Sequence, residues 1–113
     1  MRHDADRAAA ARRAIREHGG QVILLDDGST DDTLRVARDV GDPRLRIVGH
    51  GRRLGLARQL NQGIDLARGR YIARMDADDV CFPERLARQV AFLDASPTVD
   101  LVGCRAVVFR DDG

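Results

Sequence analysis

Apolar residues along the chain fall into two alternating rhythms, one of period near 3.6 and one of short continuous or alternating runs. Ala8, Ala11 and Ile15 lie at helical spacing in an alanine- and arginine-rich segment that stops at Gly19-Gly20, which predicts an N-terminal helix over residues 1–20. "QVILL" then reads as a buried strand, being short, continuous and partly β-branched. Ser29, Thr30 and Asp31 offer helix caps, with Asp31 and Asp32 suited to a first turn by the helix dipole; Leu34, Ala37 and Val40 carry that helix to the "GDP" break at 41–43. "RLRIV" alternates like a strand. Beyond "GHGRRLG", Leu56, Leu60, Ile64 and Ala67 predict a helix with one apolar face, closed by Gly69. "RYIARM" predicts a strand over 70–75. Pro83 suits the first turn of a helix whose inner face is Leu86, Val90 and Leu93, and Ser96-Pro97 ends it. "VDLVGCRAVVF" supplies a last extended segment. Strands alternating with helices of this length predict an α/β fold, a mostly parallel sheet flanked by helices.

Composition narrows the classes. A chain of 113 residues, 43% hydrophobic and 33% charged, suits one globular unit with a modest core. A net charge of +1 gives no bulk field for nucleic acid or an anionic membrane, so neither is expected as a partner. All 19 basic residues are arginine. Chemistry that requires a lysine is thereby excluded: a P-loop, a Schiff base, a receiver-type phosphorylation site. Cys81 and Cys104 lack a CxxC spacing and the histidines are scattered, which predicts a reducing, cytoplasmic setting and no structural zinc. Cys104 in a strand reads as a small core residue, and His50 as a loop residue rather than a ligand. No apolar run approaches a membrane span, and residues 1–20 lack a signal-peptide core.

The candidate chemistry is acidic. "DDGS" follows the strand at 22–25 and "DADD" follows the segment at 70–75, so both clusters fall at carboxyl ends of strands, where open α/β sheets bind ligands. Either alone could be a solvated turn or a cap. Asp76, Asp78 and Asp79, however, put three carboxylates into four residues. At an effective dielectric of about 20, two like charges some 4 Å apart repel by up to roughly 4 kcal/mol, and much less when well solvated. A divalent cation converts that repulsion into attraction, and hard oxygen ligands suit Mg²⁺ or Mn²⁺. Mg²⁺ typically takes one or two carboxylates, waters and the oxygens of a diphosphate.

Two other α/β readings are weaker. "GHGRRLG" has a G-x-G-x-x-x-G spacing with Asp76 about twenty residues on, as a dinucleotide loop might. An oxidoreductase of that kind has no use for three neighbouring carboxylates, and Arg52 and Arg53 are more simply a solvated turn. A receiver domain also ends a strand in paired aspartates, but it requires a later lysine.

"VILLDDGSTDDT", "GLARQLNQGIDLARGRYIARMDADD" and "FPERLARQVAFLDASPTVDLVG" together resemble the inverting family 2 glycosyltransferases of the GT-A fold, over residues 21–103. The pairing of "DDGSTD" with "ARGRYIARMDADD" some fifty residues later is far more specific than either half. The resemblance implies a Rossmann-like domain that binds a nucleotide-diphosphate sugar, with Mg²⁺ or Mn²⁺ as cofactor. It places Asp27 on the nucleotide base, with Gly28 and Ser29 beside it. Asp76 falls near the ribose and diphosphate, and Asp78, the last residue of the D-x-D motif, on the metal with Asp76. Arg58 and Asn61 fall on a helix near the nucleotide.

Departures from the family pattern carry expectations of their own. The family opens with a central strand of the type "VSVIIPxYN", whereas this sequence opens as a helix, and the family continues beyond "FRDDG" into an acceptor half that carries the catalytic base. The resemblance therefore implies one partial domain over 1–113: a donor- and metal-binding core at 21–103, a C-terminal strand and end at 104–113, and no acceptor base among these residues. The alternative is a truncated, non-catalytic nucleotide-binding or structural fragment. A parallel sheet without its interior strand should pair the strands at 22–25 and 70–75 directly, or else be marginal and self-associate through open edges.

Overall fold

In the computed structural model, residues 20–30, 32–76 and 79–110 are described. The N-terminal helix expected before Gly20, together with Asp31, Asp78 and Asp111 to Gly113, lies outside them. The chain divides into two compact units, with the boundary between Pro83 and Glu84.

The first unit is built on strands β1 (Val22–Asp26) and β2 (Leu45–Gly49), paired in parallel with Val22 opposite Leu45 and Asp26 opposite Gly49. The crossover between them contains helix α1 (Thr33–Arg38), and helix α2 (Leu56–Leu66) follows β2. Parallel neighbours require such a crossover, so the β1–α1–β2 unit is the direct product of the alternating rhythm in the sequence. α1 packs on β2 and α2 on β1. The core is small: Ala37 and Val48 are the buried hydrophobic side chains among the described residues. β1, expected to be fully buried, is half-buried over Val22 to Leu25.

Three local expectations are corrected. α1 begins after Asp32, which caps it by position and without a side-chain bond. The Ser29 N–H is instead taken up by Asp26 Oδ2 at 3.1 Å, a local side-chain turn that competes with helix initiation at this point. α2 is rotated relative to its predicted face. Of that face Leu60 and Ala67 are half-buried, but Leu56 and Ile64 stand 61% and 53% exposed, while Gln59 is buried and Gly63 faces β1. A Cβ on Gly63 would lie 3.0 Å from Leu25 Cδ1, so the missing side chain is what lets this turn of the helix come down onto the strand. The strand expected over 70–75 does not form, and β1 pairs with β2 rather than with it. Strand preference expresses fit to a half-buried, paired surface. Ile72 is 58% exposed, and no strand lies beside it among the described residues to complete a ladder.

The second unit contains helix α3 (Arg85–Ala95). Glu84 is its N-cap, so Pro83 stands just before the helix rather than inside its first turn. Ser96 closes it, with the Ser96 N–H bonded to the Leu93 carbonyl at 3.2 Å. Leu86 and Leu93 are half-buried as expected, and Val90 is exposed. Residues 99–110 join no ladder, and Cys104 is exposed rather than in a core. No described helix is long and apolar enough to cross a membrane.

Candidate functional site

The carboxyl end of β1 and the loop after β2 are knitted together, and "DDGS" lies at the join. Asp26, the last residue of β1, is 4% exposed. Its carboxylate turns back to the Ser29 N–H, and its main-chain carbonyl accepts a bond from Gln59 Nε2 at 3.0 Å. Asp27 points the other way, to the start of α2. Its Oδ1 accepts the Leu54 N–H at 2.6 Å and the Gly55 N–H at 3.2 Å. Gly55 is the N-cap position of α2 and has no side chain, so a carboxylate from 28 residues earlier caps the helix in its place.

Those bonds set the charge state. The Leu54 N–H is the main influence holding the Asp27 carboxyl below its ordinary 3.8; desolvation opposes it, while the Gly55 N–H, the Gln59 amide and the Arg53 charge add to the lowering. A carboxylate with a depressed folded pKa adds stability that is present above its unfolded value and is lost as pH falls through the folded one. Unfolding followed between about pH 5 and pH 2 should therefore show stability falling below the ordinary carboxylate range, and Asp27→Asn should flatten part of that fall. A residual slope should persist, because Arg44, through its side chain first and its backbone N–H second, lowers Asp42 in the same way. An unchanged acid profile in Asp27→Asn would mean that the helix cap carries no charge-dependent stability.

Gly28 completes the join. Its φ is +72°, and a Cβ there would lie 2.9 Å from the main-chain Arg52 C and Arg53 N. Two backbones touch at this point, which glycine alone permits. His50, a loop residue as expected, bonds through Nε2 to Gln62 Oε1 on α2 at 2.7 Å and ties the near end of the same loop.

The sequence-predicted residues are thus unequally placed. Asp27, Gly28 and Ser29 come together at the β1 terminus against the loop at 50–55. Arg58 stands exposed on α2, as does Asn61. Asp76 is exposed and accepts a bond from Arg74 Nη2 at 3.3 Å, and the Asp79 N–H donates to the Asp76 carbonyl at 3.1 Å. Among the described residues no three metal-ligating side chains gather; Asp78 is outside them. The donor set of "DADD" is carboxylate throughout, which fits a hard divalent cation better than a softer one. Asp26 belongs to the "DDGS" stretch already singled out; the contributor that escaped sequence reasoning is Gln59. A glutamine between Leu56 and Leu60 was the available signal for it: a polar side chain four residues before a helical glycine marks a possible inner face.

A parallel β–α–β unit with an acidic, glycine-containing turn at the carboxyl end of its first strand is the architecture of a partial Rossmann-like α/β fold. The family model described as "Glycosyl transferase family 2" matches residues 9–113, and the chain belongs to that family. EpsE of Bacillus subtilis (strain 168) is 41% identical over 96 residues, which cover 82% of this chain and 34% of that protein. The amylovoran biosynthesis glycosyltransferase AmsE of Erwinia amylovora is 33% identical over 82% of this chain and 36% of its own. The dodecaprenyl-phosphate galacturonate synthase of Rhizobium johnstonii is 43% identical over 88% of this chain and 30% of its own. The chain thus spans about a third of the length of these relatives. No solved structure matches it significantly.

Proposed function

We propose that this chain binds the nucleotide-diphosphate sugar donor of an inverting glycosyl transfer, with the nucleotide base at Asp27 and the diphosphate toward Asp76. The observation that carries this reading is the fixed Asp27 carboxylate, held by two main-chain N–H groups at the carboxyl end of β1. With Oδ1 committed, Oδ2 keeps acceptor capacity for a ring N–H of a base, and such a charge-assisted bond is stronger than a neutral one. Family membership supports glycosyl transfer as the reaction class. In that reaction an acceptor hydroxyl attacks the anomeric carbon, the nucleoside diphosphate leaves from the opposite face, and configuration inverts. A divalent cation held by Asp76 and Asp78 would offset the charge growing on the leaving diphosphate. Arg58, exposed on α2, serves as a cation for the same anion.

Calorimetry in Mg²⁺ should give UDP or GDP a dissociation constant of about 0.1 mM, roughly 5.5 kcal/mol. NAD should compete poorly. Tighter binding of NAD than of either nucleoside diphosphate would sink the assignment.

A further inference from the structure

Gln59 is a buried amide on the strand-facing side of a helix. It is 2% exposed, and the same side of α2 carries Gly63, set against Leu25. An apolar residue there would bury no polar side-chain atom, but it would take this donor away from the Asp26 carbonyl. The glutamine is held in one orientation: Nε2 donates to the Asp26 carbonyl at 3.0 Å, whereas a flipped amide would set Oε1 against that carbonyl, acceptor facing acceptor. Its Oε1 is buried with no partner among the described residues. A half-satisfied amide in such a place is costly, and what it secures in return is the last peptide of β1, from which Asp27 departs.

We propose that Gln59 is a positioning residue for nucleotide binding: by holding the Asp26 carbonyl, it fixes the direction in which the Asp27 carboxylate leaves β1 and meets the base. The proposal rests on the reading of Asp27 as the base-contacting residue. The influence of the Gln59 amide on the Asp27 carboxyl points the same way. So does the shared geometry, in which one side chain touches the strand terminus while Asp27 caps the helix that carries it.

A double-mutant cycle on the full chain tests it, with Mg²⁺–UDP as the probe and a ¹³C NMR titration of the Asp27 carboxyl as the second readout. Gln59→Met keeps the volume and removes the donor. It should weaken UDP binding about tenfold, the scale expected when a supporting residue is lost, and raise the Asp27 carboxyl toward its ordinary 3.8. Combined with Asp27→Asn it should cost almost nothing further, because the same interaction is already gone. If Gln59→Met does not fold, Gln59→Leu, which also removes the donor and adds no charge, takes its place in the cycle. Losses that multiply in the double variant would assign Gln59 a structural role and overturn the proposal, as would an Asp27 titration and a UDP affinity both unmoved by Gln59→Met. Wild-type protein that binds no UDP, while its Asp27 titration still answers to Gln59, would uphold the positioning and sink the nucleotide reading instead.

Discussion

Gly28→Ala is expected to remove about 2–5 kcal/mol of stability, the sum of about 1–2 kcal/mol for a left-handed non-glycine residue and about 1–3 kcal/mol for forced overpacking. The size follows from what the added Cβ would meet. At φ +72° it would lie 2.9 Å from the main-chain atoms of Arg52 and Arg53, which cannot swing aside as a side-chain tip could. The loop would have to lift, and with it the Leu54 and Gly55 N–H groups that Asp27 caps. Against a total domain stability of about 5–15 kcal/mol, and with so small a core, this is a large fraction. Gly55→Ala is the internal control. Its φ is +89° with ψ 153°, an extended positive-φ conformation, and nothing lies within 4 Å of the added Cβ, so a purely conformational cost of about 1–3 kcal/mol should stand alone. Urea unfolding of the two variants distinguishes them. Equal losses would mean that the contact between the "DDGS" turn and the loop at 50–55 contributes nothing.

Asp78→Asn should abolish the dependence of nucleotide binding on metal while leaving base recognition in place, and Asp27→Asn should do the reverse. An amide in place of a carboxylate removes a full negative charge from the cation's surroundings. Losing even a residue that only supports a ligand typically costs 10–100-fold in metal affinity, so a direct ligand should cost about a hundredfold or more. Asp27 sits at the head of α2 on main-chain N–H groups. Its loss should weaken nucleotide binding by a similar factor with metal or without it. Equal, metal-linked losses from both substitutions would show that the division of roles between the two acidic stretches is wrong.

Residues 22–26 and 45–49 became strands as their patterns predicted because each carries its own information: a continuous apolar run in one, alternation in the other. The position of "DDGS" followed from β1, since a turn at a strand terminus needs nothing remote to define it. What was not legible depends on partners far along the chain. The spacing of Leu56, Leu60, Ile64 and Ala67 predicts one apolar face for α2, and Leu60 and Ala67 are half-buried, yet Gln59 and Gly63 turn inward in place of Leu56 and Ile64, one to bond the Asp26 carbonyl and the other to admit Leu25. Periodicity reports how far apart apolar residues stand on a helix, not how closely a strand can approach. "RYIARM" has the composition of a strand, but a strand exists through its neighbour. Asp27 was singled out as a ligand residue through the family resemblance. Its engagement by Leu54 and Gly55 lies 27 and 28 residues away and could not be read from local sequence.

The most direct test is a calorimetric titration of UDP into the chain, once with saturating Mn²⁺ and once with a chelator. The account predicts binding near 0.1 mM with metal, about 5.5 kcal/mol, and affinity at least about tenfold weaker without it. Affinity indifferent to the metal would contradict it.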